Sequence, residues 1–200
     1  NALLDEQGVF AQEGRMVDAS FHEVPRQRNT REENKQVKTG SIPPDWKEKP
    51  HKLAQKDVEA RWTKKNGVSF YGYKNHVKAD TKTKLILDYL VTDASVHDSQ
   101  ALGDLLNEKD KSQELYADSA YTGEKQEKVI GKKEMKNRVH EKGHRNKPLT
   151  EQQKQSNREK SKTRARVEHI FAFIENNMNG PMIRTIGILR AKAKIGLINL

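Results

Sequence analysis

An α/β fold is predicted for this chain from two periodicities that alternate along it. Segments with apolar residues two apart, which put alternate side chains on opposite faces of a strand, give way to segments with apolar residues three and four apart, which draw a stripe down a helix. In chain order they read strand, hairpin, helix, strand, helix, a pattern that covers a sheet with helices.

The first strand is placed near residues 15–23, where Val17, Ala19 and Phe21 alternate with Asp18, Ser20 and His22. A polar stretch, about 28–66, contains Ile42-Pro43-Pro44-Asp45 and is expected to be mobile or only locally helical. Two strands then flank the turn Asp80-Thr81-Lys82-Thr83, and the second, Leu85 to Val91, is apolar on both faces, so it is expected at the centre of the sheet. Ala101, Leu102, Leu105 and Leu106 have helical spacing behind His97 and Asp98, whose expected role is to cap that helix. Glu114 to Asp118 is a short apolar run that stops at an acid and turns. Asp118 should therefore stand at a strand end, where ligands gather in open α/β sheets.

Thr122 is expected to cap a helix from Lys125, a short edge strand to fall at about 136–140, and Thr150 to cap a polar helix. That helix leads into a last one, on which Val167, Ile170, Phe171, Ile174 and Met178 form one stripe. Glu168 lies at the edge of the stripe, so packing the stripe on the sheet brings its carboxylate to the strands. Arg164 and Glu175 share its face.

Composition narrows the setting. Two hundred residues suit one domain with a sizeable core. Leu, Ile, Val and Phe number 41, near the level of roughly 20% below which chains stay disordered, so the core must be concentrated in some segments. With no cysteine, disulfides and thiolate zinc sites are excluded. No apolar run approaches the roughly 20 residues of a membrane span, and Asn1-Ala2-Leu3-Leu4-Asp5 does not read as a signal peptide, so a cytoplasmic location is expected. The start at Asn1 and the apolar end from Ile195 to Leu200 read as a fragment.

Net charge is +10, and residues 124–166 hold 15 basic against 6 acidic side chains. A field of that sign suits a phosphate backbone, although a charge run also reads as a solvated loop. Asp18, Asp118 and Glu168 are the candidate site. Carboxylate oxygens suit hard cations such as Mg²⁺ or Mn²⁺, and two such ions about 3.5–4 Å apart stabilise both the attacking and the leaving oxygen of a phosphodiester displacement. Among 28 acids each one alone reads as a surface carboxylate.

The motifs around them are more specific. Val17-Asp18-Ala19-Ser20, Tyr116-Ala117-Asp118-Ser119-Ala120-Tyr121 and Ala165-Arg166-Val167-Glu168-His169-Ile170-Phe171 resemble, in this order, the catalytic motifs of the DDE transposases of bacterial insertion sequences, in the branch called the insertion-sequence-five family. Gly72-Tyr73-Lys74-Asn75-His76-Val77 and Thr92-Asp93-Ala94-Ser95-Val96-His97-Asp98-Ser99 add to the resemblance, which covers most of residues 15–200. It implies a ribonuclease H-like mixed sheet flanked by helices and an enzyme that cuts DNA at the ends of a mobile element and joins the freed 3′-hydroxyl to a target. It further implies Asp18, Asp118 and Glu168 as catalytic residues holding two Mg²⁺ ions, with Mn²⁺ as substitute, and a homodimer on double-stranded DNA in the bacterial nucleoid. Lys162, Arg164 and Arg166, with Lys132, Lys133, Arg138, Arg145 and Lys147 of the basic segment, are the expected DNA contacts.

Related enzymes carry Tyr, Arg, Glu and Lys along one helix face, and here those positions read Ser161, Arg164, Glu168 and Glu175. Two alternatives stay open: a hydrolytic nuclease of the same fold, and an inactive, basic DNA-binding remnant. His140 and His144 stand four apart but lack the metalloprotease pattern, so zinc is disfavoured. Trp46 and Trp62 fit either stacking on bases or pinning the polar stretch.

Overall fold

In the computed structural model, which describes residues 2–9, 13–178 and 182–200, the chain forms an α/β structure with one six-stranded mixed sheet and flanking helices. The elements run α1 (Ala2–Glu6), β1 (Gly14–Glu23), α2 (Arg31–Lys38), α3 (Pro44–Glu48), α4 (Pro50–Leu53), β2 (Arg61–Lys65), β3 (Val68–Asp80) and β4 (Ile86–Asp93). They continue with α5 (Leu102–Leu105), β5 (Glu114–Tyr116), α6 (Glu124–Lys132), β6 (Lys136–Asn137), α7 (Glu151–Arg164), α8 (Arg166–Asn177) and α9 (Ile188–Ile198). The strand order is β2-β3-β1-β5-β6, with β4 also on β3; β1 with β5 and β5 with β6 are parallel, β2 with β3 antiparallel. No helix among the described residues is long and apolar enough to cross a membrane. The chain divides into two compact units, Asn1–Ser20, His76–Leu90 and His97–Met178 in the first, Phe21–Asn75, Val91–Val96 and Asn179–Leu200 in the second.

In the first unit the period of two along β1 supplies both faces. Val17 packs with Leu102, Leu105, Leu115 and Ile130 of α5, β5 and α6, while Met16 packs with Val77, Ala79, Val167 and Phe171 of β3 and α8. The odd residue on β1 is Arg15, only 2% exposed. Its Nε donates to Asp110 Oδ1 at 2.9 Å and its Nη1 to Asp80 Oδ2 at 3.3 Å, while Lys78 Nζ donates to Asp110 Oδ2 at 2.8 Å. Two cations and two carboxylates are thus buried as one neutral group.

In the second unit, Gly72 to Asn75 of the Gly72-to-Val77 motif are architectural. Gly72 has φ +152°, and a Cβ there would lie 2.2 Å from the carbonyl oxygen of His22, so only glycine lets β3 pass this strand. Tyr73 donates its hydroxyl to both oxygens of Asp57, Lys74 donates to the Val96 carbonyl, and the amides of Asn75 and Asn199 bond reciprocally at 2.8 and 3.1 Å.

The polar stretch is locally helical as expected, with Thr30 and Glu33 forming a capping box on α2. Two expectations are corrected. The apolar run at 85–91 is not central: β4 pairs β3 and exposes Tyr89, whereas β3 is buried from Tyr71 to Asp80. Its polar side chains are internally bonded, and that hid the burial of β3 from a hydropathy reading. Thr122 does not cap α6; Gly123 precedes it at φ +134°, and the Thr122 hydroxyl donates to the Ser119 carbonyl. As expected, Thr150 caps the polar helix, which leads through a break at Ala165 into the glutamate helix.

Removing Asp110 takes a carboxylate partner from buried Lys78 and from buried Arg15, which keeps Asp80. Asp110→Ala is expected to cost about 3–5 kcal/mol in urea unfolding, more than a surface acid by severalfold; a loss under about 1 kcal/mol would mean the group is not held as described.

Candidate active site

The register between β1 and β5 pairs Gly14 with Glu114 and Met16 with Tyr116, so two residues further on Asp118 comes level with Asp18. Both lie on the face where Met16 meets Val167 and Phe171, and the first turn of α8 carries Glu168 to the same place. The packing argument from the helix stripe thus holds, and three separate segments deliver three carboxylates to one neighbourhood.

Between them stands Arg164, the last residue of α7. Its Nη1 donates to Asp18 Oδ2 at 2.9 Å and its Nη2 to Glu168 Oε1 at 3.3 Å. Asp18 Oδ1 accepts the Ala19 amide at 2.8 Å, and Asp118 Oδ1 accepts the Ala120 amide at 2.8 Å, capping the 3-10 turn Ser119–Tyr121. Burial pushes the Asp18 carboxyl up to about 6; the Ala19 amide and Arg164 oppose the rise, and Asp118 and Glu168 add to it.

Two further residues belong here. Tyr121 is 1% exposed, and its hydroxyl has no hydrogen-bond partner among the described residues. Burial raises its phenol well above the usual range, with Asp18, Asp98 and Asp118 adding to the effect. Its signal was its place in the motif, three residues after Asp118. His140 has its Nε2 3.3 Å from Ser161 Oγ and is shifted down by burial, then by Arg164 and Lys160, while Asp118 opposes. Its local signal was the four-residue spacing to His144, which pointed to zinc and not to this site.

Among the described residues no group of three His, Asp or Glu side chains stands as a ready metal cage. Arg164 engages one oxygen of Asp18 and one of Glu168. The zinc alternative finds no support, since exposed His144 forms a backbone bridge with Lys147 while His140 meets Ser161. His97 caps its turn through Ser99, as expected.

The expected DNA contacts divide. Lys133 pairs with Glu108, Arg138 with Glu114, and Arg166 donates to the Thr81 carbonyl. Lys132, Arg145, Lys147 and Lys162 are exposed and form no salt bridge among the described residues.

An acid whose folded pKa is raised favours the folded state below its unfolded value of 3.8, and that advantage is lost as pH rises through about 6. Asp18→Asn should therefore stabilise the protein by about 2–3 kcal/mol at pH 7.5 in EDTA, with the gain vanishing below about pH 4. A melting temperature of the variant equal to the parent's at pH 7.5 would contradict the buried, crowded setting.

The sequence matches the family described as "Transposase DDE domain" over residues 10–200. It is also 32% identical over 139 residues to a protein of Neisseria meningitidis serogroup B named transposase for insertion sequence element IS1106. That alignment covers 70% of this chain and 48% of the relative, so the chain spans about half the length of the protein it matches. No solved structure matches. With the family covering nearly the whole chain, and with its motifs on the strands and helix just described, the protein belongs to the DDE-domain transposases.

Proposed function

We propose that this chain is the catalytic domain of a DNA transposase that cuts at the ends of an insertion sequence and transfers the freed 3′-hydroxyl into target DNA. Asp18, Asp118 and Glu168 are its catalytic and metal-binding residues. The observation that carries the reading is that Asp18 and Glu168 share one guanidinium while Asp118 lies close enough to add to the rise of the Asp18 carboxyl, which burial holds hard to ionise. A strongly perturbed buried acid beside other carboxylates is the kind of setting that clusters at functional sites.

The residues fit a hard divalent cation. Every ligand candidate is an oxygen, no thiol is present, and the unpartnered Tyr121 hydroxyl lies among the same acids. Two Mg²⁺ ions, with Mn²⁺ as substitute, would supply Lewis-acid stabilisation of the attacking and leaving oxygens when held by Asp18, Asp118 and Glu168. Arg164 neutralises part of the acid charge in the resting site and has two donors suited to a phosphate. Lys162, Arg166 and the basic segment, with Lys132, Arg145 and Lys147 free of salt bridges, give the phosphate track.

Incubation with element-end duplex, Mg²⁺ and a target plasmid should yield nicked and joined products, none of them in EDTA. Losing a partner of a metal ligand costs 10–100-fold. Asp118→Asn and Glu168→Gln should each lower cleavage by more than about a hundredfold. Cut but never joined products would make the protein a nuclease, and cleavage by Glu168→Gln would remove Glu168 from the site.

Each phosphate contact contributes roughly 0.9 to the slope of log affinity against log salt. Neutralising Lys132, Arg145 and Lys147 together should flatten that slope by about 2 to 3, while Lys133 and Arg138, already paired, should contribute less. An unchanged slope would leave the segment as a solvated surface.

A further inference from the structure

The two tryptophans of the polar stretch separate in the fold. Trp46 is fully buried, its indole N–H donating to Glu33 Oε1 at 2.6 Å with the ammonium of Lys56 5.0 Å from the ring. It pins the short helices. Trp62, on β2, is 45% exposed, which is unusual for so large an apolar ring. Tyr71 packs against it at 5.0 Å, and the guanidinium of Arg26 lies over it at 5.6 Å.

Arg26 lines one cleft of the second unit, and the Trp62 ring it covers lines another. One, of about 310 Å³, is lined by Arg26, Lys52, Lys56, Asp57 and Arg184. The other, of about 300 Å³, is lined by Trp62, Tyr71, Lys38 and Arg61. In the first cleft Lys52 is paired with Asp45 and Glu33, and Lys56 donates to the Arg28 carbonyl and Asn29. Asp57 is 2% exposed and saturated by Tyr73 and the amides of Glu59, Ala60 and Gly187. Arg26 and Arg184 are exposed and form no salt bridge among the described residues. Two such guanidiniums in a concave site beside an exposed indole combine the elements that hold a nucleic-acid strand: fixed cations for phosphates and a flat ring for a base.

We propose that this face of the second unit binds single-stranded DNA, with Trp62 stacking on an unpaired base and Arg26 and Arg184 holding the flanking phosphates. Arg26 exchanges the indole face for a phosphate as the base takes its place. The inference rests on the DNA-processing reading above and adds a site to it, because an enzyme that opens element ends must accommodate strand that is no longer paired.

The test uses the whole chain and a labelled 15-nucleotide thymidine strand. Intrinsic fluorescence should be quenched on binding in the parent and not in Trp62→Phe, since the remaining Trp46 is buried. By anisotropy, Trp62→Ala should weaken binding roughly 5- to 100-fold, the range of one stacked base. Arg26→Gln with Arg184→Gln should flatten the single-strand salt slope by about 1.4. Trp62→Phe keeps an aromatic ring against Tyr71, so its lost quenching is read in a folded protein even if Trp62→Ala unfolds. Saturable binding without quenching in the parent overturns the proposal, as does an unchanged slope in the double variant. Cleavage of duplex by a parent whose Trp62 is silent sinks the site alone, whereas quenching in a protein that never cleaves sinks the transposase reading alone.

Discussion

The buried group of Arg15, Lys78, Asp80 and Asp110 is the constraint on which the first unit depends. Its four side chains are nearly inaccessible and sum to no net charge, so the large desolvation penalty of each is met by direct partners. Asp80 also accepts from the backbone of Lys82 and Thr83, and Asp110 from that of Asn107. One network therefore fixes the end of β3, the start of β1 and the turn before β5. A hydrophobic replacement of similar volume would bury these segments equally well but would not specify which turn meets which strand. Asp18 stands three residues along β1 from Arg15, so its position inherits that specification.

The carboxylate site shows the opposite balance. There the charges do not cancel, and Arg164 offsets only part of three acids, which is why burial and neighbours push Asp18 up to about 6. The break at Ala165 lets one residue at the end of α7 and another in the first turn of α8 serve the same site. An unbroken helix would have set Arg164 and Glu168 one turn apart on a single axis; the break frees the arginine to reach Asp18 as well. Charges are thus balanced around Arg15 and left unbalanced three residues further along the same strand.

What the sequence disclosed follows from which signals are local. Asp18, Asp118 and Glu168 were legible because each lies inside a motif with its own periodicity, and the stripe through Val167 and Phe171 named the face that packs. The central burial of β3 was not legible, since Lys74, Asn75, His76, Lys78 and Asp80 read as a polar strand until their distant partners are known. The apolar run at 85–91 misled for the complementary reason: apolar residues on both faces mimic a central strand, yet Tyr89 faces outward. His140 and the division of Trp46 from Trp62 depend on contacts across more than ten residues of sequence, which no spacing rule contains.

The departures at Ser161 and Glu175 carry unequal weight. Ser161 reaches His140, so the position the family gives to tyrosine is still occupied by a hydrogen-bonding side chain, though a shorter one. Glu175 sits on α8 seven residues past Glu168, a rise of about 10.5 Å. The Debye length at physiological salt is about 8 Å, and Glu175 is exposed, so its repulsion of the three acids is largely screened. The departure at Glu175 therefore leaves the electrostatics around Asp18 to Arg164, Asp118 and Glu168.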